Sequence, residues 1–171
     1  SPEEEAAYQT ARRNFSVAAT LGATAVAPLK VAIQPETDLE EETRSRRDNR
    51  SSRREAVMAF SQSAAPTDAP ALVPLLSDAD DEVRYHALMG IERLRHPDAA
   101  LFIVPVLKDR DSGLRQAAAE ALGKLGDPRA IPQLAAATRD LEIFGDAAKA
   151  LAQIDSPEAR EALLGVVADA S

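Results

Sequence analysis

The sequence predicts an all-α fold, an α-α superhelix of about five stacked helix pairs, and three observations predict it. A unit recurs about every 30 residues, with DADDEVRYHALMGIERLRHPDAALFIVPVL at 78–107 followed by DRDSGLRQAAAEALGKLGDPRAIPQLAAAT at 109–138. Inside each unit the apolar residues fall at three- and four-residue spacing, the period of one helix face. Asp, Pro and Gly punctuate the units where helices start and stop. A fixed period of this length with helical spacing inside it is the signature of a helical solenoid, in which each pair hides an apolar face against the next.

The register can be followed residue by residue. Val83, Arg84, Ala87, Ile91, Leu94, Pro97 and Ala99 fall on Leu114, Arg115, Ala118, Leu122, Leu125, Pro128 and Ala130. Upstream, Arg53, Ala56, Phe60, Pro66, Leu72, Val73 and Leu76 precede the same pattern by one full repeat. Downstream, Ala147, Leu151, Ile154, Pro157 and Leu163 follow it at a slightly shorter spacing. In the unit at 109–138, Asp109 and Asp111 break and recap the chain, and Leu114, Ala118, Ala121, Leu122 and Leu125 make one buried face. Gly126 is placed to end that helix in the left-handed conformation. Asp127 and Pro128 then open the second helix, Asp as N-cap and Pro at the first helical position.

The whole chain, 1–171, reads as one domain with three parts. Residues 1–33 form an atypical N-terminal pair, 34–52 a charged insertion, and 53–171 the regular repeats. The insertion is acidic over 36–42 and Arg-rich over 44–54. Thr37 with Glu40 fits a capping box, and Glu40–Arg44 and Glu42–Arg46 are favourable i,i+4 pairs, so 38–63 reads wholly or partly as one long helix.

Composition bounds the function. A formal charge of −8 opposes a nucleic-acid role, since phosphate neutralisation needs a net basic face. The Arg-rich 44–54 segment has an acidic run beside it and no interleaved aromatic residues for base stacking, so a self-paired, solvated helix stands against the nucleic-acid reading. Without cysteine there is no disulfide or thiolate chemistry. No run approaches the roughly 20 apolar residues of a membrane helix. The opening Ser1-Pro2-Glu3-Glu4-Glu5 reads as a processed or excised start, and a cytoplasmic location is the default expectation.

The pattern Asp-x-Asp-x-x-Val/Leu-Arg-x-x-Ala-x-x-x-Leu/Ile-x-x-Leu, followed by x-Pro-x-Ala and a second apolar helix, resembles the HEAT repeat. Residues 121–132, Ala-Leu-Gly-Lys-Leu-Gly-Asp-Pro-Arg-Ala-Ile-Pro, resemble the phycobilisome-lyase-type variant. The resemblance is strong over 53–165, weaker over 10–33 and absent over 34–50. It implies a right-handed solenoid, with helices starting near Arg53, Glu82 and Gly113 on the concave side and those starting near Pro66, Pro97 and Pro128 on the convex side. It also implies a structural ladder in which Arg53, Arg84 and Arg115 and the loop residues Asp78, Asp80, Asp109 and Asp111 bond across adjacent turns. The alternative for those arginines is a grip on an acidic partner. Phe144 stands where the next Arg belongs.

No constellation for catalysis is visible. His86 and His96 are the only histidines and have no further ligands at metal-binding spacing. Phosphate loops and nucleophile elbows are missing, and neither catalytic residue, metal nor cofactor is expected. The concave helices carry the candidate partner-binding residues: Arg54, Met58, Tyr85, His86, Met89, Arg93, Gln116, Glu120 and Lys124. Exposed Tyr, Met and Arg are what protein interfaces enrich, although Tyr85 or Met89 could instead tuck into a neighbouring groove. The expected function is a non-enzymatic protein-binding or scaffold module. One alternative is a bilin-lyase-like role, with Arg54, Tyr85 and His86 supplying part of a tetrapyrrole site. Another is an architectural segment of a larger protein. The apolar last helix (Leu163, Leu164, Val166, Val167) is a candidate for self-association or domain docking.

Overall fold

A computed structural model describes residues 1–11, 14, 18, 20–33 and 43–169. Every regular element among them is helical. The chain divides into two compact units, Ser1–His96 and Pro97–Ser171. The repeat rhythm does not mark this division, which falls inside the 78–107 repeat, between its two helices.

The first unit runs α1 (Pro2–Ala11), a 3-10 turn (Gly22–Ala25), α2 (Val26–Ala32), α3 (Thr43–Ser63), a 3-10 stretch (Pro66–Ser77) and α4 (Asp81–Leu94). Of the long helix expected over 38–63, the described part begins at Thr43; the Thr37–Glu40 capping box lies outside the described residues. The second element of the first regular pair is 3-10 instead of α-helical. Pro70 and Pro74 sit inside it; each lacks the N–H that an α-helix needs there and crowds the preceding turn. Its apolar face still buries Leu72 and Leu75 and packs on α4, where Val83, Leu88 and Ile91 are fully buried, as are Val57 and Phe60 of α3. Burying a side chain the size of Phe60 contributes about 1.5–3 kcal/mol.

The second unit runs α5 (Ala99–Ile103), a 3-10 continuation (Val104–Lys108), α6 (Ser112–Leu125), a 3-10 turn (Pro128–Ala130), α7 (Ile131–Ala137), α8 (Phe144–Gln153) and α9 (Pro157–Asp169). Pro105 tightens the end of the first pair as Pro70 and Pro74 do in the other unit. Ile103, Leu122, Leu134, Ile143, Leu151 and Ile154 form the core.

Two glycines set how closely neighbouring helices approach. A Cβ on Gly90 of α4 would run into Ser61 Oγ of α3 and lie 2.7 Å from a Leu72 methyl. A Cβ on Gly123 of α6 would lie 2.9 Å from Ala150 Cα of α8. A residue in the left-handed region terminates both α4 and α6. Gly126 takes φ +68° after α6, as its place in the sequence demands, and Arg95, its counterpart one repeat earlier, takes φ +50° after α4.

Candidate functional site

The loop before α4 organises the surface of the first unit. Asp80 is the N-cap: one carboxylate oxygen accepts the N–H groups of Glu82 at 3.0 Å and Val83 at 3.3 Å. The same carboxylate receives a bidentate grip from Arg54 of α3, which donates from Nε to one oxygen at 3.2 Å and from Nη2 to the other at 2.8 Å. One residue earlier on α3, Arg53 reaches Asp78 at 2.8 Å. Burial works to raise the Asp80 pKa, but hydrogen bonds from Arg54, Val83 and Glu82, with the Arg54 charge, outweigh it and hold the carboxyl below its usual range. Arg54 is raised in turn, first by its hydrogen bond to Asp80; partial desolvation opposes this, and the charges of Asp80, Glu82 and Asp81 reinforce it.

The repeat-position arginines have a different geometry from Arg54. Arg84 is buried and donates to the carbonyls of Asp78 at 2.9 Å and Ala79 at 3.4 Å, so it pins the loop through its backbone. In the second unit Arg115 donates to the carbonyls of Asp109 at 2.9 Å and Arg110 at 3.3 Å. It also reaches forward to Asp140 at 2.9 Å and to Glu142. The loop carboxylates turn inward on their own turns: Asp78 accepts Asp80 N–H, Asp109 accepts Asp111 N–H, and Asp111 caps Leu114 N–H, each at 2.9 Å.

Between the Arg54–Asp80 bond and a bond from Arg93 to the Ser61 carbonyl, α3 and α4 leave a strip of surface. Met58 on α3 and Tyr85 on α4 are 45% and 41% exposed there, well short of core burial. Met89 and His86 are half-buried. The Tyr85 and His86 rings meet edge-on, 5.7 Å between centroids, and His86 Nε2 lies 3.8 Å from a Glu82 oxygen. In the second unit the predicted residues make a more polar surface. Gln116 donates to the Glu142 carbonyl at 3.2 Å, and Lys124 pairs with Glu120 one turn away at 3.0 Å. The Lys124 hydrogen bond and charge hold Glu120 below its usual range, with a further contribution from Lys149. Among the described residues, no group of three His, Asp or Glu is arranged to hold a metal ion. No described helix is long and apolar enough to cross a membrane.

Helix pairs, capping aspartates and loop-pinning arginines that return once per repeat are features of one repeat type. Residues 69–142 match the family model described as HEAT repeats, and residues 144–169 match the PBS lyase HEAT-like repeat. The chain is a HEAT-repeat protein. No curated protein matches it.

The two HEAT matches meet at Ile143, where the loop-and-arginine pattern gives out. Ile143 is the residue before α8 and offers no side-chain cap. Phe144 replaces the arginine and is 41% exposed, and Leu141 in the preceding loop is 92% exposed. The sequence shows the missing arginine but not that this HEAT repeat leaves Leu141 and Phe144 in water. Nor does it point to Asp140 and Glu142 as partners of Arg115, because their loop belongs to the following repeat. Arg129, which bonds Asp98 at 2.9 Å and its neighbour Asp127 at 2.7 Å, is a second tie between repeats. The recurring Pro97-Asp98 and Asp127-Pro128 dipeptides are the available signal for it.

Proposed function

We propose that this HEAT protein is a non-enzymatic protein-binding module that takes its partner on the exposed strip of α3 and α4, at Met58, Tyr85, His86, Met89 and Arg93. One observation carries the reading: an aromatic and a thioether side chain stay substantially exposed on adjacent helices that the Arg54–Asp80 and Arg93–Ser61 bonds hold at fixed spacing. A rigid frame with a few large amphipathic side chains is the arrangement in which binding energy concentrates in hot spots. Arg54 contributes as frame, since its guanidinium is engaged by Asp80. On the second unit, Gln116, Glu120 and Lys124 are candidates for a polar contact surface of its own. Leu164 and Val167 of α9, both largely exposed, are the candidates for self-association.

The test is capture of binding proteins from source cells with the parent and with Met58→Ala/Tyr85→Ala. The expected result is a protein retained by the parent and lost from the variant, with melting temperatures within about 2 °C of each other. A partner retained equally by both, or a variant that melts far lower, overturns the reading. The bilin alternative is weakened by the engagement of Arg54, and an absorbance scan with added bilin that shows no shift eliminates it.

A further inference from the structure

The charges around the α3–α4 strip are lopsided. Arg53 and Arg54 are paired with Asp78 and Asp80, so those four side chains cancel. Among the described side chains, what remains at the Tyr85 end is acidic: Glu55, Asp81 and Glu82 are all exposed. Asp81 and Glu82 follow the capping Asp80 in the first turn of α4, and their charges add to those that favour the ionised Arg54. Arg93 lies at the other end of α4, bonded to the Ser61 carbonyl. Helix geometry puts Tyr85 beside these acids, one turn beyond Asp81 and Glu82 on α4. The α3–α4 contact at Ser61 and Gly90 places Tyr85 level with the Glu55–Met58 turn of α3. Among the described side chains the strip is therefore an apolar and aromatic centre with a carboxylate flank, and Arg54 beside it is already paired with Asp80.

We propose that the segment bound by this strip is a basic amphipathic stretch of a partner protein. An apolar side chain of that segment packs against Met58, Tyr85 and Met89. An Arg or Lys next to it meets Glu55 and Glu82 and stacks on the Tyr85 ring, where the electron-rich face attracts a cation. This inference rests on the docking-face reading above and adds the sign of the partner.

The test uses the full chain and a synthetic amphipathic Leu/Arg helical peptide of about 15 residues, with a twin in which every Arg is Glu. Fluorescence anisotropy of the labelled peptides reads affinity. The Leu/Arg peptide is expected to bind at least about ten-fold more tightly than its twin, and to weaken as salt rises. Glu55→Gln/Glu82→Gln is expected to weaken it about ten-fold. Glu158→Gln/Glu161→Gln removes the same charge from α9 and is expected to change it less than about two-fold.

Equal losses from the two double variants reduce the binding to bulk attraction by a chain of net charge −8 and overturn the proposal. So does failure of the Leu/Arg peptide to bind. A twin that binds tightly and is lost with Tyr85→Ala overturns the basic partner but leaves the docking face standing. A Leu/Arg peptide indifferent to Tyr85→Ala overturns the docking face as well.

Discussion

Helices α6 and α8 occupy the same place in successive repeats and begin differently. α6 has 14 residues, a capping carboxylate from Asp111 and a loop pinned by Arg115. α8 has 10 residues, no side-chain cap and Phe144 at the arginine position. Three of the four missing residues belong to the first turn: Leu141 stands in the loop where its counterpart Ser112 has already begun the helix. A first turn has four backbone N–H groups with no partner inside the helix, and an acceptor side chain must compensate them. The Asp-x-Asp loop of the repeat supplies one. In the next repeat the loop reads Thr138-Arg139-Asp140; Asp140 accepts Glu142 N–H and bonds Arg115, and the helix starts at Phe144.

The strongest way to break the comparison is at the contact the two helices share. Gly123→Ala is expected to cost about 2–3 kcal/mol despite the better helix propensity of Ala, because the new methyl meets the Ala150 backbone at 2.9 Å, which cannot rotate away. Thermal or urea unfolding reads the loss, and a neutral result would show that α6 and α8 slide apart easily. Next comes the capped class of start, tested at α4, where Asp80→Ala removes an N-cap and the anchor of Arg54 together. A loss of about 2 kcal/mol at pH 7 is expected. Because the folded-state pKa of Asp80 lies below its ordinary value, the stability it contributes is present above about pH 4. That contribution disappears as pH falls through the folded value, so the gap between parent and variant should close in acid. A gap unchanged down to about pH 2 would assign the loss to something other than ionised Asp80. The smallest effect belongs to the uncapped start: Leu141→Ser should shift stability by no more than about 0.5 kcal/mol, since the side chain already stands in water. A larger loss would mean that Leu141 packs in solution.

Periodicity makes the helix faces and the repeat boundaries readable, because burial of one stripe per helix is a short-range constraint written at fixed spacing. Gly126 and the capping roles of Asp80, Asp111 and Asp127 follow from the same local rules. The 3-10 stretch at Pro66–Ser77 is also written in the chain, in Pro70 and Pro74, but the regular spacing around them outweighs the signal. The candidate site is less legible. Arg53 and Arg54 are adjacent, and only the packing of α3 against the next loop decides that Arg54 grips the Asp80 cap while Arg53 takes Asp78. Likewise, the register sets Tyr85 off the buried stripe that holds Ile91 and Leu122, but whether it stays in water or tucks into a groove depends on where the neighbouring helix lies.

The pairing of Arg54 with Asp80 has a consequence for how such a protein can change over generations. The pair that keeps α3 and α4 in place lies next to Met58 and Tyr85, the exposed side chains on which docking is proposed, yet is distinct from them. On that reading Met58 and Tyr85 could be exchanged for other residues, and the surface they offer altered, while the scaffold beneath them stays as it was.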